Sequence, residues 1–447
     1  MLESADNTLA YMDQGSYLAL RALGRGPVIQ YTWIYERGVD LDGLRRFHRN
    51  LSGGLLGRVL ETSSIPCGRH RWVAWPGSGE LDVADVEIRR EKVWDWVEQR
   101  ANTPVDPEFG PPWHLGVQPF VGGGAAVNLV VSHTVADAAA LILSINDAVL
   151  GTGRYLNYPP PRSRPLRAAL LQDTRTAIRS LGAIPAAVAG AARTARLQAA
   201  DLTDSARSAA AVRTSECRQP VVVPTVSVAI ELAEWNARAK ALNGTSNVLL
   251  AGVATRIGAI TGRVDDNGMA MLSLPVSERT EGDTRGNALN TITVIADPQR
   301  ALTDLGEIRR GIKTELTRLG ANREWMLAPL ALTPFTPKFL LKRLEKLVLK
   351  VGKPIGSSNT GDMPEAVNRP DGTDADFFTS RLVEPGITAA DFDRIGGRMM
   401  LASGNLHGKV CMSVVAWEPG AVNTKAALMD SVKRALDDYG LAPTVME

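Results

Sequence analysis

The chain has 447 residues, too many for one ordinary hydrophobic core, so two domains or two halves of one large fold are expected. Apolar residues make up 45% and charged residues 22%, a globular balance, and a net charge of +2 gives no electrostatic basis for binding nucleic acid. Aromatic residues at 5% are too sparse for base-stacking platforms, and three scattered cysteines (Cys67, Cys217 and Cys411, with no CxxC) fit a reducing compartment such as the cytoplasm.

The opening "MLESADNTLAYMDQGS" lacks the basic and apolar regions of a secretory leader. Residues 27–37, "PVIQYTWIYER", predict a strand rich in β-branched and aromatic residues. In "DLDGLRRFHRNLSGG", Leu41, Leu44, Phe47 and Leu51 share one helical face, and Gly53-Gly54 ends it. "RHRWVAW" predicts a short strand and "REKVWDWVEQRAN" an amphipathic helix. "WHLGVQPF" and "AAVNLVV" flank "VGGG" as a hairpin, and an Ala/Leu/Ile-rich helix follows Asp137. Residues 1–160 thus read β-α-β-α-β-β-α, a first half.

Residues 161–220, rich in Ala, Arg and Pro, read as a connector with one or two Ala-rich helices and a loosely ordered tail. Residues 221–447 form the second half. "TVSVAIEL" is a strand and "LAEWNARAKAL" a helix. "NGTSNVLLAGVATRIGAITGR" is a helix with Ser246 or Asn247 as N-cap. "GMAMLSLPVS" and "NTITVIA" are strands, and "ALTDLGEIRRGIKTELTRLG" is a long helix. "MMLASGNLHGKVCMSVVAW" is a hairpin turning at Gly404 or Gly408, and a C-terminal helix closes at Gly440. No window holds the roughly 18 uninterrupted apolar residues a spanning helix needs.

The chemistry concentrates in "AAVNLVVSHTVADAAALILSINDAVL". A strand ends at Ser132, His133 follows, and Asp137 stands four residues on. Imidazole titrates close to neutrality and can take a proton from a hydroxyl or amine. A short loop between rigid elements is where such a group is useful. Asp137 is equally a natural N-cap for the helix after it, and one H-x-x-x-D among five histidines can arise by chance.

Two further stretches add to it: "SLPVSERTEGDTRGNALNTITV" (273–294) and "PIGSSNTGDMP" (354–364). With "TPVDPEFGPPWHLGVQPF" and "SHTVADA", in this order and over nearly the whole chain, the sequence resembles the condensation-domain-like, chloramphenicol acetyltransferase-like acyltransferase superfamily. It looks most similar to the bacterial wax ester synthase/diacylglycerol acyltransferases or to the polyketide-associated acyltransferases. The resemblance implies that His133 is the base that deprotonates the acceptor hydroxyl. It implies that Asp137 is structural and pairs with Arg279 of "PVSER". Asn290-Thr291 would lie near the substrate channel, and Ser358-Asn359 would mark the strand crossing from the second half to the first. Ser132 stands where the family's motif has its first histidine, and Ala138 where it has a glycine. An alanine there would narrow the channel or shift the loop.

No G-x-S-x-G elbow appears. "FTPKFLLKRLEKLVLKVGK" (335–353) is a basic amphipathic segment that would either pack on the core or touch a membrane surface. "RPDGTDADFF" lacks the glutamate of a calcium loop, and His48, His70, His114 and His407 show no metal-ligand spacing. The expectation is a mixed α/β fold. Two chloramphenicol acetyltransferase-like halves would form a V-shaped pseudo-dimer around a central channel. Its expected activity is acyl transfer from acyl-CoA, with no cofactor, to a lipid or alcohol acceptor such as a diacylglycerol or long-chain alcohol. The alternatives are a donor delivered on a carrier protein and a non-catalytic acyl-binding module. The expected location is cytoplasmic or at the inner membrane face.

Overall fold

The computed structural model describes residues 6–77, 79–153, 155–193, 219–337 and 353–446. Its first part contains α1 (Tyr11–Leu23), β1 (Val28–Tyr35), α2 (Leu41–Leu51), β2 (Arg58–Glu61), β3 (Arg71–Ala74), β4 (Asp82–Val83) and α3 (Val93–Ala101). Then come β5 (Trp113–Pro119), β6 (Ala125–Ser132), α4 (Ala138–Leu150) and α5 (Leu166–Leu181). The second part contains β7 (Thr225–Glu231), α6 (Leu232–Ala241), α7 (Ser246–Ile260), β8 (Ala270–Ser277), β9 (Leu289–Ala296) and α8 (Gly306–Leu327). It continues with β10 (Ile355–Asp362), β11 (Phe377–Val383), α9 (Ala389–Ile395), β12 (Arg398–Leu406), β13 (Lys409–Trp417), α10 (Lys425–Asp438) and β14 (Thr444–Val445).

The first sheet has the order β11-β1-β6-β5-β4, and β2-β3 form a separate hairpin. Every residue of β1 and of β6 is buried, because helices cover both faces. Tyr31, Trp33, Val127 and Leu129 pack towards α2 and α4, whereas Ile34 and Ala126 pack towards α3. Two polar side chains on the α3 side are satisfied within it: Gln30 donates to the Val97 carbonyl and the Asn128 side chain, and Asn128 to the Thr32 hydroxyl.

The second sheet has the order β14-β7-β13-β12-β10-β8-β9 and is mixed: β10 runs parallel to β8 and β12, the other pairs antiparallel. Val226, Val228, Leu272, Ile292, Leu401 and Val414 line its core face beneath α7, α8 and α10. On the other face, Ser227 of β7 and Ser413 of β13 meet Thr379 of β11 in a buried hydroxyl cluster, with 2.7 Å between Ser227 and Thr379 and 2.9 Å between Thr379 and Ser413.

Several sequence expectations change. The first element described is a helix, α1, whose buried Asp13, Gln14 and Tyr17 hide its pattern from a search for apolar spacing. The strand that crosses to the first sheet is β11, paired with β1 from Val28–Val383 to Ile34–Phe377. It is not the strand of Ser358-Asn359, which stays in the second sheet beside β12 and β8. A cut at residue 221 therefore separates β11 from the sheet it completes. Thr245, not Ser246 or Asn247, occupies the N-cap position of α7. The β12–β13 hairpin turns at His407-Gly408, both at positive φ, while Gly404 lies within β12, where a Cβ would come within 2.3 Å of the Thr360 hydroxyl. The basic segment 335–353 and the connector tail lie largely outside the described residues. Among the described residues no helix is long and apolar enough to cross a membrane.

Candidate active site

β6 ends at Ser132, and a tight turn closed by the Val135 N–H on the Ser132 carbonyl (2.9 Å) leads to α4. The polar groups of this turn are held from several directions. The His133 N–H donates to the Pro27 carbonyl at 3.1 Å, and the Asn287 amide donates to the His133 carbonyl at 3.0 Å. Arg58 donates to the Val135 carbonyl at 3.3 Å, and the Thr134 hydroxyl meets that of Ser16 at 3.0 Å. The His133 imidazole is half-buried and takes no hydrogen bond from any described residue.

The other four histidines differ. His70 accepts from the Ser63 N–H, His114 meets Arg100, His407 pairs with Asp374 at 2.8 Å, and His48 stands edge-on to Trp113. Burial lowers the pKa of His48, His70 and His114.

Asp137 is the N-cap of α4, accepting from the Ala140 N–H at 2.7 Å. Its carboxylate also accepts from the Ala288 N–H at 2.8 Å and from Arg279 Nη2 at 3.0 Å to each oxygen. The pair is buried, with both side chains 5% exposed. Arg279 further donates to the Arg285 and Gly286 carbonyls, 2.9 and 3.0 Å away, so it folds its own β8–β9 loop while gripping Asp137. With this many donors, the carboxylate's acceptor positions are taken, and its role is to join the two loops.

Sequence reasoning missed three neighbours. Asp13 of α1, wholly buried, accepts from the Gly286 and Asn287 N–H groups at 2.9 and 2.7 Å, and from the Asn287 amide at 3.2 Å. Burial raises the pKa of its carboxyl, against the pull of Arg58 and these donors. Arg58, also wholly buried, bonds the Thr284 carbonyl and lies 4.1 Å from the Trp72 ring centroid. Gly286 has no room for a side chain: a Cβ would stand 2.8 Å from the Val135 carbonyl and 3.0 Å from that of Thr134. Its place in "SLPVSERTEGDTRGNALNTITV", ahead of Asn290-Thr291, was the only sequence signal.

The remaining residues are spread along the structure. Ser132 is buried at the end of β6, opposite Val28. Ala138 is the first residue of α4 and is not among the residues at positive φ, so alanine fits its backbone without strain. Asn290, opposite Val276, uses its carbonyl oxygen on the Thr291 N–H, while its buried Nδ2 has no partner. Thr291 is exposed. Ser358 and Asn359 lie on β10, which runs parallel to β8 and so points towards the end of the sheet that carries Arg279. Among the described residues no cluster of three or more His, Cys, Asp or Glu could hold a metal ion. Burial pushes the Cys411 thiol up to about 11, unsuited to a thiolate nucleophile at neutral pH.

No protein-family model matches the sequence, and no curated protein matches it. Solved structures do match the whole chain. Polyketide synthase associated protein 5 from Mycobacterium tuberculosis is 14% identical, with TM-score 0.53 over 97% of this chain and 98% of that one. The first condensation domain of the calcium-dependent antibiotic synthetase, in complex with a substrate analogue, is 13% identical with TM-score 0.57, covering 98% and 96%. F. sporotrichioides TRI101, complexed with coenzyme A and T-2, is 11% identical with TM-score 0.57, covering 99% and 100%. The chain has the mixed α/β fold of the condensation-domain-like acyltransferases.

Proposed function

We propose that this protein is an acyltransferase that moves an acyl group from acyl-CoA to an alcohol, with His133 as the general base. The carrying observation is the contrast among the five histidines. Four have structural partners, whereas His133 has its backbone fixed and its imidazole without a partner among the described residues. A free imidazole on a rigid loop can accept the proton of an acceptor hydroxyl as its oxygen attacks the thioester carbonyl. Collapse of the tetrahedral species breaks the C–S bond, and the imidazolium returns the proton to the leaving thiolate. The thioester is already activated, so the step needs no covalent enzyme intermediate and no cofactor beyond the co-substrate.

The acceptor favoured by the sequence resemblance is a lipid alcohol, either a diacylglycerol or a long-chain alcohol. The test is release of free CoA from a panel of acyl-CoAs, with and without such acceptors. Wild type should show acceptor-dependent release, and a folded His133→Ala variant should lose about 10²–10⁴ in rate. Full activity in the variant would refute the assignment. No release from wild type on any acyl-CoA, but transfer from an acylated carrier protein, would move the donor from CoA to the carrier.

A further inference from the structure

Helix α5 is inside out. The face it turns to the protein carries Ala169, Asp173 and Ser180, which are small or polar. Asp173, fully buried, anchors it through Arg71 at 2.5 Å, Arg164 at 2.9 Å and the Ser64 N–H at 2.7 Å. The face it turns to solvent carries Leu171 (54% exposed), Ile178 (62%) and Leu181 (48%), and Leu166 (70%) stands exposed at its first residue. At 3.6 residues per turn, Leu171 and Ile178 lie seven residues apart on the outermost line. Leu181 flanks them on one side, and exposed Arg175 and Arg179 on the other, while Leu166 projects from the start of the helix on the side nearer Asp173. A surface helix normally shows the opposite arrangement. Helix α5 carries no exposed carboxylate, since its one acidic residue is the buried anchor.

We infer that α5 is a membrane-surface contact that lays its aliphatic ridge into the headgroup boundary of an anionic lipid bilayer. Both components such binding needs are present: apolar side chains to insert and cations beside them to meet lipid phosphates. The ridge from Leu171 to Leu181 is about 15 Å long at 1.5 Å per residue, an extent that a soft planar surface accommodates. Charge and polarity together favour this occupant over a second copy of the chain, whose α5 would bring like-charged arginines into contact. The inference extends the proposed lipid acceptor by placing the enzyme at the surface where such acceptors lie. It is read without turnover, so its failure and the failure of the acyl-transfer reading are separate results.

The experiment is co-sedimentation of the full chain with vesicles of phosphatidylcholine alone and of phosphatidylcholine mixed with phosphatidylglycerol. Wild type should bind the anionic vesicles, and less well as salt rises. Leu171→Ser with Ile178→Ser should weaken binding about tenfold or more, and Arg175→Gln with Arg179→Gln several-fold. All four side chains point outward, so the melting temperature and the activity on a soluble acceptor should be unchanged. Absence of vesicle binding by wild type, or binding that both double variants keep, overturns the proposal. So does an effect of the leucine and isoleucine changes on self-association or carrier-protein binding while vesicle binding stays intact.

Discussion

His70 lies behind the site on the β2–β3 hairpin, its Nδ1 accepting from the Ser63 N–H at 3.1 Å and its ring edge-on to Tyr17 at 5.3 Å. Burial lowers its pKa from 6.5 to about 4. Between those values the unfolded chain binds a proton that the folded chain refuses. Unfolding then takes up a proton, so stability falls as pH drops below 6.5 and levels off below about 4. Because the ring is part-exposed, the loss between about pH 7.5 and about pH 5 is discounted to about 1–2 kcal/mol. Urea unfolding at the two pH values measures it. His70→Gln should be less stable at the higher pH but should show a flatter pH slope than wild type. Equal slopes would mean that His70 titrates normally in the folded chain.

At the scale of elements, the β8–β9 loop is the part that completes the site. Arg279 opens it, and Gly286-Asn287 reach back to Asp13 and to the His133 turn. Gly286→Ala would push a methyl against the Val135 and Thr134 carbonyls, which Arg58 and Asn287 hold in place. The loop must then move, at a cost of about 1–3 kcal/mol. The expected result is a lower melting temperature and, if His133 is the proposed base, a kcat that falls more than the KM for the proposed acyl-CoA donor changes, because the turn that carries it is displaced. An unchanged kcat would show that the loop and the turn are not mechanically linked. The strands and helices on either side were legible because their periods of 2 and 3.6 are local properties. Those of β1, β6, α4 and α7 stand within a few residues of where the sequence puts them. Asp137 was legible as a helix cap for the same reason. Asp13 was not, because its partners lie 273 and 274 residues away and its helix hides a carboxylate where a leucine would be expected. The crossing strand was misassigned for a related reason. "SSNTG" and "FFTSRLV" are both plausible strands, and only pairing across 350 or so residues, which no local pattern encodes, sends β11 to β1.

At the scale of the molecule, two junctions between the sheets differ in character. One is the hydroxyl cluster of Ser227, Thr379 and Ser413, continued by Arg381, which donates to Gln30 at 2.6 Å and pairs with Glu98. The other is the Asp137–Arg279 pair, which ties the turn after β6 to the loop after β8. Removing one member of a buried pair strands the other's charge, at a cost of about 3–5 kcal/mol, more than the intact pair contributes over an apolar substitute. Asp137→Asn keeps an acceptor for the α4 cap and removes the charge; Arg279→Met removes the guanidinium and keeps much of the volume. Each single variant should lose stability and activity together. The double variant, left with no unpaired charge, should be more stable than the sum of the single losses predicts, by about 1–3 kcal/mol. Urea unfolding of the four proteins in the cycle measures that coupling. Restored stability without restored CoA release would show that the pair sets the position of the turn as well as holding the sheets together. Strict additivity would mean that the two loops do not share the energy of this contact, and the link between them would then rest on the Asp13, Arg58 and Asn287 hydrogen bonds.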